Sequence, residues 1–170
     1  REMGSVYSRV TQCEAPSGSL LEKYGSKADY VDCFQVSVDT STSNSDVASP
    51  FSIRSYLGSF YSSSAFYPET LVLWTVSRFY QLPPLENGNG ESFGYGFFRV
   101  LEEQGGDEVI MDSGATQTWM SVRRQSGDNS KVIYKFGSIV KRTGFLARLL
   151  IPPHLLYSKI LLASAVTKEL

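Results

Sequence analysis

A chain of 170 residues is the size of one domain and buries roughly two-thirds of its unfolded surface, so it stands without metal or disulfide staples. Sixteen basic residues against seventeen acidic ones leave a formal net charge of −1, with no concentrated positive field for DNA, RNA or an anionic membrane. Two cysteines and one histidine, with no CxxC and no paired Cys–His spacing, exclude a thiolate or imidazole zinc cage, and no DxDxDG-like loop offers calcium a site.

Residues 1–27 are mixed in polarity and carry Pro16-Ser17-Gly18-Ser19, so they read as an arm; residues 1–28 make the lead-in and 29–170 a single domain. Residues 30–38 read as a strand, where Val31, Cys33, Phe34, Val36 and Val38 supply β-branched and aromatic bulk. The stretch 39–49 is dense in Ser, Thr, Asn and Asp, whose side chains compete for backbone hydrogen bonds and favour a loop. Ser49 followed by Pro50 suits an N-cap and first helical residue, and Ile53, Leu57, Phe60 and Tyr61 then make one apolar stripe. Ser62-Ser63-Ser64 ends that helix, Pro68 opens a second one reaching about residue 80, and Pro83-Pro84 stops it. Leu71, Val72, Leu73, Trp74, Val76 and Phe79 surround the second helix, which predicts deeper burial than for the first.

Beyond the turn-rich Asn87-Gly88-Asn89-Gly90, an extended chain puts Phe93, Tyr95, Phe97, Arg99 and Leu101 on one face. Turns at Gln104-Gly105-Gly106-Asp107 and Ser126-Gly127-Asp128-Asn129 separate strands over residues 108–112, 116–123 and 131–140. In the middle one Thr116, Thr118, Met120 and Val122 alternate with Gln117, Trp119, Ser121 and Arg123, as in a sheet with two chemically different faces. After Gly144, Pro152-Pro153 break a helical region, so the long terminal helix starts near Pro153. Residues 145–166 are strongly apolar, yet Arg148, Pro152, Pro153, His154 and Lys159 leave less than the ~20 apolar residues of a bilayer span. The N-terminus lacks the apolar core of a secretory signal, so a reduced cytoplasmic protein is expected; Cys13 and Cys33 would pair only in an oxidising compartment.

This order of elements describes an α+β chain of helix-grip type: an antiparallel sheet wrapped around a long C-terminal helix, with two shorter helices between the first strand and the rest. The topology resembles the START-like (SRPBCC, polyketide cyclase-like) superfamily. Phe98-Arg99-Val100-Leu101, Asp112, Met120-Ser121-Val122-Arg123-Arg124, residues 132–140, Gly144 and Pro153-His154 are similar to a bacterial domain family of unknown function within it. Ala115-Thr116-Gln117 departs from the polar His-Leu-Asp-like start that the resemblance leads one to expect after Asp112. What the resemblance implies is a cavity between sheet and terminal helix that holds an apolar or aromatic small molecule.

His154 is the one imidazole and the one side chain suited to proton transfer near neutrality; a helix-start histidine bonded to a neighbouring element is the plainer reading. Tyr95, Arg99 and Tyr134 could supply donors that orient a carbonyl or stabilise an enolate, or else simply pack their rings and pair with a surface acid. Tyr95, Arg99 and His154 are therefore the catalytic candidates. The candidate ligand contacts are Tyr56, Phe60, Trp74 and Arg78 on the first two helices, Phe97, Thr118, Met120 and Tyr134 on strands, and Tyr157 on the last helix. Asp112 reads as a turn residue or a buried base, and the glycines near Gly94 precede a strand and not a helix, so they cradle no phosphate. The expected activity is that of a cyclase, isomerase or dehydratase needing no cofactor or metal; a non-catalytic lipid or small-molecule carrier or sensor, a protein-interaction module and a homodimer stay open.

Overall fold

The computed structural model describes residues 3–39, 51–79, 90–114, 116–141 and 145–170. Seven strands form one sheet in the order β1-β2-β7-β6-β5-β4-β3, antiparallel at every pairing. They are β1 (Thr11–Gln12), β2 (Tyr30–Asp39), β3 (Ser92–Phe93), β4 (Phe98–Gln104), β5 (Glu108–Asp112), β6 (Thr116–Gln125) and β7 (Asp128–Val140). The helices are α1 (Met3–Tyr7), α2 (Leu20–Gly25), α3 (Ile53–Tyr61), α4 (Tyr67–Ser77) and α5 (Phe145–Glu169).

Period-two alternation sorts the sheet into two apolar layers. Phe34, Val36 and Val38 of β2, Met120 and Val122 of β6, and Val132, Tyr134 and Phe136 of β7 face the main core, where they meet α1, α3 and α5. Their alternates Cys33, Ile110, Trp119 and Ile139 face the other way and are covered by Leu20 and Leu21 of α2. The sheet thus grips α5 on its front and carries α2 on its back, the α+β helix-grip arrangement read from the sequence. Small residues permit the close approaches. A Cβ on Gly137 would stand 2.8 Å from the Asp32 carbonyl oxygen and 2.9 Å from a Leu21 methyl, so glycine there lets α2 lie directly on β7.

Several expectations change. Residues 3–28, read as an arm, hold two short helices and an edge strand, and Val6, Leu20 and Leu21 are fully buried. The first helix starts at Ile53 with Ser52 capping the Ser55 N–H; the expected Ser49-Pro50 start lies outside the described residues, as do Pro83-Pro84, Asn87-Gly88-Asn89 and Gly144. The second helix is not the more buried one: Leu71, Val72 and Phe79 are 56%, 60% and 87% exposed, and no residue of α4 is buried. Apolar residues all round a helix normally go with burial, and nothing among the described residues explains why α4 departs from this. The extended run from Phe93 is interrupted by a tight turn. Gly94, Tyr95 and Gly96 all take positive φ, and the chain doubles back so that Phe93 pairs with Phe98. Finally, α5 is not broken at Pro152-Pro153; both prolines sit inside one helix. Their fixed φ is helical, and the burial of Leu161, Leu162, Ala163, Ala165 and Val166 beyond them offsets two missing N–H bonds. Among the described residues no helix is long and apolar enough to cross a membrane.

A cavity with an acid–base wall

Side-chain volume falls off along the front of the sheet. Toward one end β6 and β7 present Met120, Val122, Tyr134 and Phe136, all buried; toward the other they present Thr116, Thr118, Ser138 and Val140. The α5 residues facing the first end include Ala163, Ala165 and Val166, which permit close packing on α1 and α3. At the second end α5 brings Ile151, His154, Tyr157 and Leu161, and the missing volume remains as a cavity of about 490 Å³. Phe60, Phe66, Phe97, Phe98 and Phe136 give it an aromatic wall, and α4 contributes Glu69 and Leu73.

One part of the wall, where Tyr30, Ser138 and His154 meet, is polar, and Asp32 lies buried behind it. Asp32 shares the front parity of Phe34 and Val36, and its side chain is only 1% exposed. A buried carboxylate needs donors. It has three: the Ser138 N–H at 2.9 Å, the Tyr30 hydroxyl at 3.1 Å and His154 Nε2 at 3.2 Å. Because a carboxylate only accepts, Nε2 of a neutral His154 carries the proton and Nδ1 keeps the basic lone pair. The edge of the Tyr30 ring packs on the imidazole, 6.5 Å between centroids, and Ser158 Oγ, one helical turn on, lies 3.4 Å from the same Nε2 and with this tautomer can only share its proton as an acceptor.

A second carboxyl, that of Glu69, lines the same cavity. Burial pushes Glu69 above the ordinary carboxylate range, against a hydrogen bond from Tyr157 and the field of His154. The Tyr157 hydroxyl also reaches the Ala65 carbonyl at 3.2 Å, and burial together with Glu69 raises its own pKa. Tyr30 is raised likewise, by burial and then by Asp32. The cavity therefore holds an oriented imidazole, a carboxyl that keeps its proton to higher pH, and two phenols that keep theirs, that of Tyr30 given to Asp32 and that of Tyr157 to the Ala65 carbonyl. Such a set can move a proton on an apolar ligand. Among the described residues no group of three metal-ligating side chains occurs.

Of the residues singled out from the sequence, His154, Tyr157, Phe60, Phe97 and Thr118 line this cavity. The others lie elsewhere. Tyr95 sits in the turn after β3 and is 54% exposed. Arg99 bonds one oxygen of Asp112 at 2.6 Å while Lys141 bonds the other at 2.5 Å, on the back of the sheet. Burial would raise the Asp112 carboxyl, but Lys141, the Gly114 N–H and Arg99 outweigh it and hold it below the usual range, so this acid is an ion-pair anchor. Tyr56 and Tyr134 meet edge to face at 5.1 Å inside the closed core, with Met120 also fully buried. The Arg78 guanidinium lies 4.0 Å over the Trp74 ring, and both stay outside the cavity lining.

Asp32, Glu69 and Tyr30 escaped the sequence reading. For Asp32 a signal existed, since an acid on the inward parity of an apolar strand must find partners indoors. Glu69, just after Pro68, looks like any acid in a first helical turn. No family model, no curated protein and no solved structure matches this chain.

Proposed function

We propose that this protein binds an apolar or aromatic small molecule between its sheet and α5, and that His154, held by Asp32, transfers a proton on that molecule. The observation that carries the reading is the position of His154 in the wall of an aromatic cavity of about 490 Å³, with the buried Asp32 carboxylate 3.2 Å behind its Nε2. Kinship with the START-like superfamily fits the architecture and belongs to the same proposal. In the reaction, Nδ1 of His154 removes a proton from carbon next to a ligand carbonyl while the Glu69–Tyr157 pair donates to the oxygen. As the enol O–H gives its proton back to Glu69, the imidazolium returns its own at another carbon, or protonates a β-hydroxyl that leaves as water, or protonates the oxygen of a second ligand carbonyl to which the enol carbon has bonded. Isomerase, dehydratase and cyclase chemistry all follow from that first step without a cofactor.

Two measurements test it. Binding is read with N-phenylnaphthylamine, a neutral aromatic whose emission rises on desolvation; wild type is expected to saturate with one equivalent. Proton transfer is read as wash-in of deuterium next to the carbonyl of α-tetralone in deuterated water. His154→Gln should slow this wash-in by about 100-fold or more while leaving probe affinity little changed. Absence of probe binding sinks the cavity reading. Binding without any wash-in by wild type leaves a non-catalytic carrier.

A further inference from the structure

The two cysteines meet across the edge of the sheet. The β1–β2 register, Thr11 opposite Gln35 and Gln12 opposite Phe34, brings Cys13 opposite Cys33, and the Cys13 N–H donates to the Cys33 carbonyl at 2.9 Å. Facing residues of an antiparallel pair have Cα atoms about 4.5–5.5 Å apart, within the span of a disulfide. The sulfurs lie 2.8 Å apart, and both are free thiols. Their surroundings differ. Cys33 is 2% exposed, under Leu20, Leu21 and Trp119, whereas Cys13 is half-buried at the edge.

That asymmetry separates an attacking sulfur from a resolving one. The hydrogen bond between the two sulfurs and, after it, Lys135 lower the Cys13 thiol against its own burial, while the same bond and burial push Cys33 up. Residues 3–12 meet the sheet through an edge strand of only two residues, yet they deliver Val6 to the main core. A bond at this point would hold them there.

We infer that Cys13 and Cys33 form a thiol–disulfide site that a low-molecular-weight disulfide oxidises, stapling the N-terminal segment onto β2. Cys13 thiolate attacks one sulfur of the reagent and releases one thiolate. Cys33 then loses its proton to solvent, attacks the Cys13 sulfur of the mixed disulfide and expels the second thiolate. Two protein thiols are oxidised and one reagent disulfide is reduced to two thiols. The site lies on the back of the sheet and works whatever the cavity holds.

The test uses the full reduced chain and oxidised glutathione, followed by intact mass, peptide mapping and thermal melting. A product lighter by two hydrogens, a Cys13–Cys33 linked peptide and a Tm higher by about 6–12 °C are expected. Cys33→Ala should stop at a glutathione adduct on Cys13, and Cys13→Ser should leave Cys33 unmodified over the same time. Separate adducts on both cysteines, links between chains, or a linked product with unchanged Tm would overturn the proposal. Cys13→Ser alters a partly exposed edge position, so a folding failure of Cys33→Ala does not remove the test.

Discussion

The back of the sheet and its cavity end each bury a carboxylate among aromatic rings, and they use it differently. Glu108 accepts the Leu20 N–H at the start of α2, the Trp119 indole N–H at 2.7 Å and Arg123 Nη2 at 3.0 Å, and packed side chains fill the space around it. Asp32 also has three donors, but the imidazole it holds borders open volume. Where packing is closed, the buried acid anchors a helix; where packing is open, it holds an imidazole at the cavity edge, which the proposed function uses as a base. The missing volume, more than the residue type, separates anchoring from chemistry.

Removing the anchor should produce the largest effect. Glu108→Ala strands the Trp119 and Leu20 N–H groups and takes one acid from Arg123, which keeps Asp107 at 2.6 Å. A loss of about 3–5 kcal/mol is expected, measured by urea unfolding, with the Trp119 emission reporting loosening of the back layer. N-phenylnaphthylamine affinity, measured where the variant is still folded, should change little. A stability loss under about 1 kcal/mol would mean that α2 is held by Leu20 and Leu21 alone.

The two regions were unequally legible in the sequence. Alternation in β6 is a strong period-two signal that puts Met120 and Val122 on one side of the strand, but only the register to β7 joins that side to Tyr134 and Phe136. Pattern cannot show whether a face is filled. Tyr134 and Thr118 share that face, and only the register across β7, β6 and α5 leaves one in solid core and the other beside a void. The glycine-flanked Tyr95 was read as strand because period-two logic continues through residues that a turn with positive φ in fact reverses. The prolines of α5 misled in the opposite direction: a local helix-breaking rule yielded to burial at the far end of the same helix. Asp32 and His154 are 122 residues apart, the difference of their two numbers, so no local motif could have joined them.

A pH comparison sharpens the contrast between acids through its sign. Glu69 has a raised folded pKa, so its contribution is fully present below the unfolded value and is lost as pH rises through the folded one. Asp112 is lowered, so its contribution is present above its unfolded value and is lost as pH falls through the folded one. Glu69→Gln should therefore flatten the decline in stability on the alkaline side of the normal carboxylate range and leave the acid limb, which Asp112 shapes, in place. Chemical denaturation across pH reads both limbs. A variant curve parallel to wild type would show that Glu69 is not desolvated.

The smallest stability effect should come from filling the cavity, and it bears most directly on the comparison. In a packed core an added methylene forces neighbours off their rotamers and costs about 1–3 kcal/mol. Thr118 lies beside Ser138 in register and lines the void, so Thr118→Leu has space for its extra carbons and removes a hydroxyl from an aromatic surface. Unfolding free energy should stay within about 0.5 kcal/mol of wild type. N-phenylnaphthylamine binding should meanwhile weaken at least tenfold, because the leucine takes volume the probe needs. A destabilisation of core size would show that the front of the sheet closes here in solution as tightly as it does around Tyr134, and the distinction between an anchored region and an open one would fail with it.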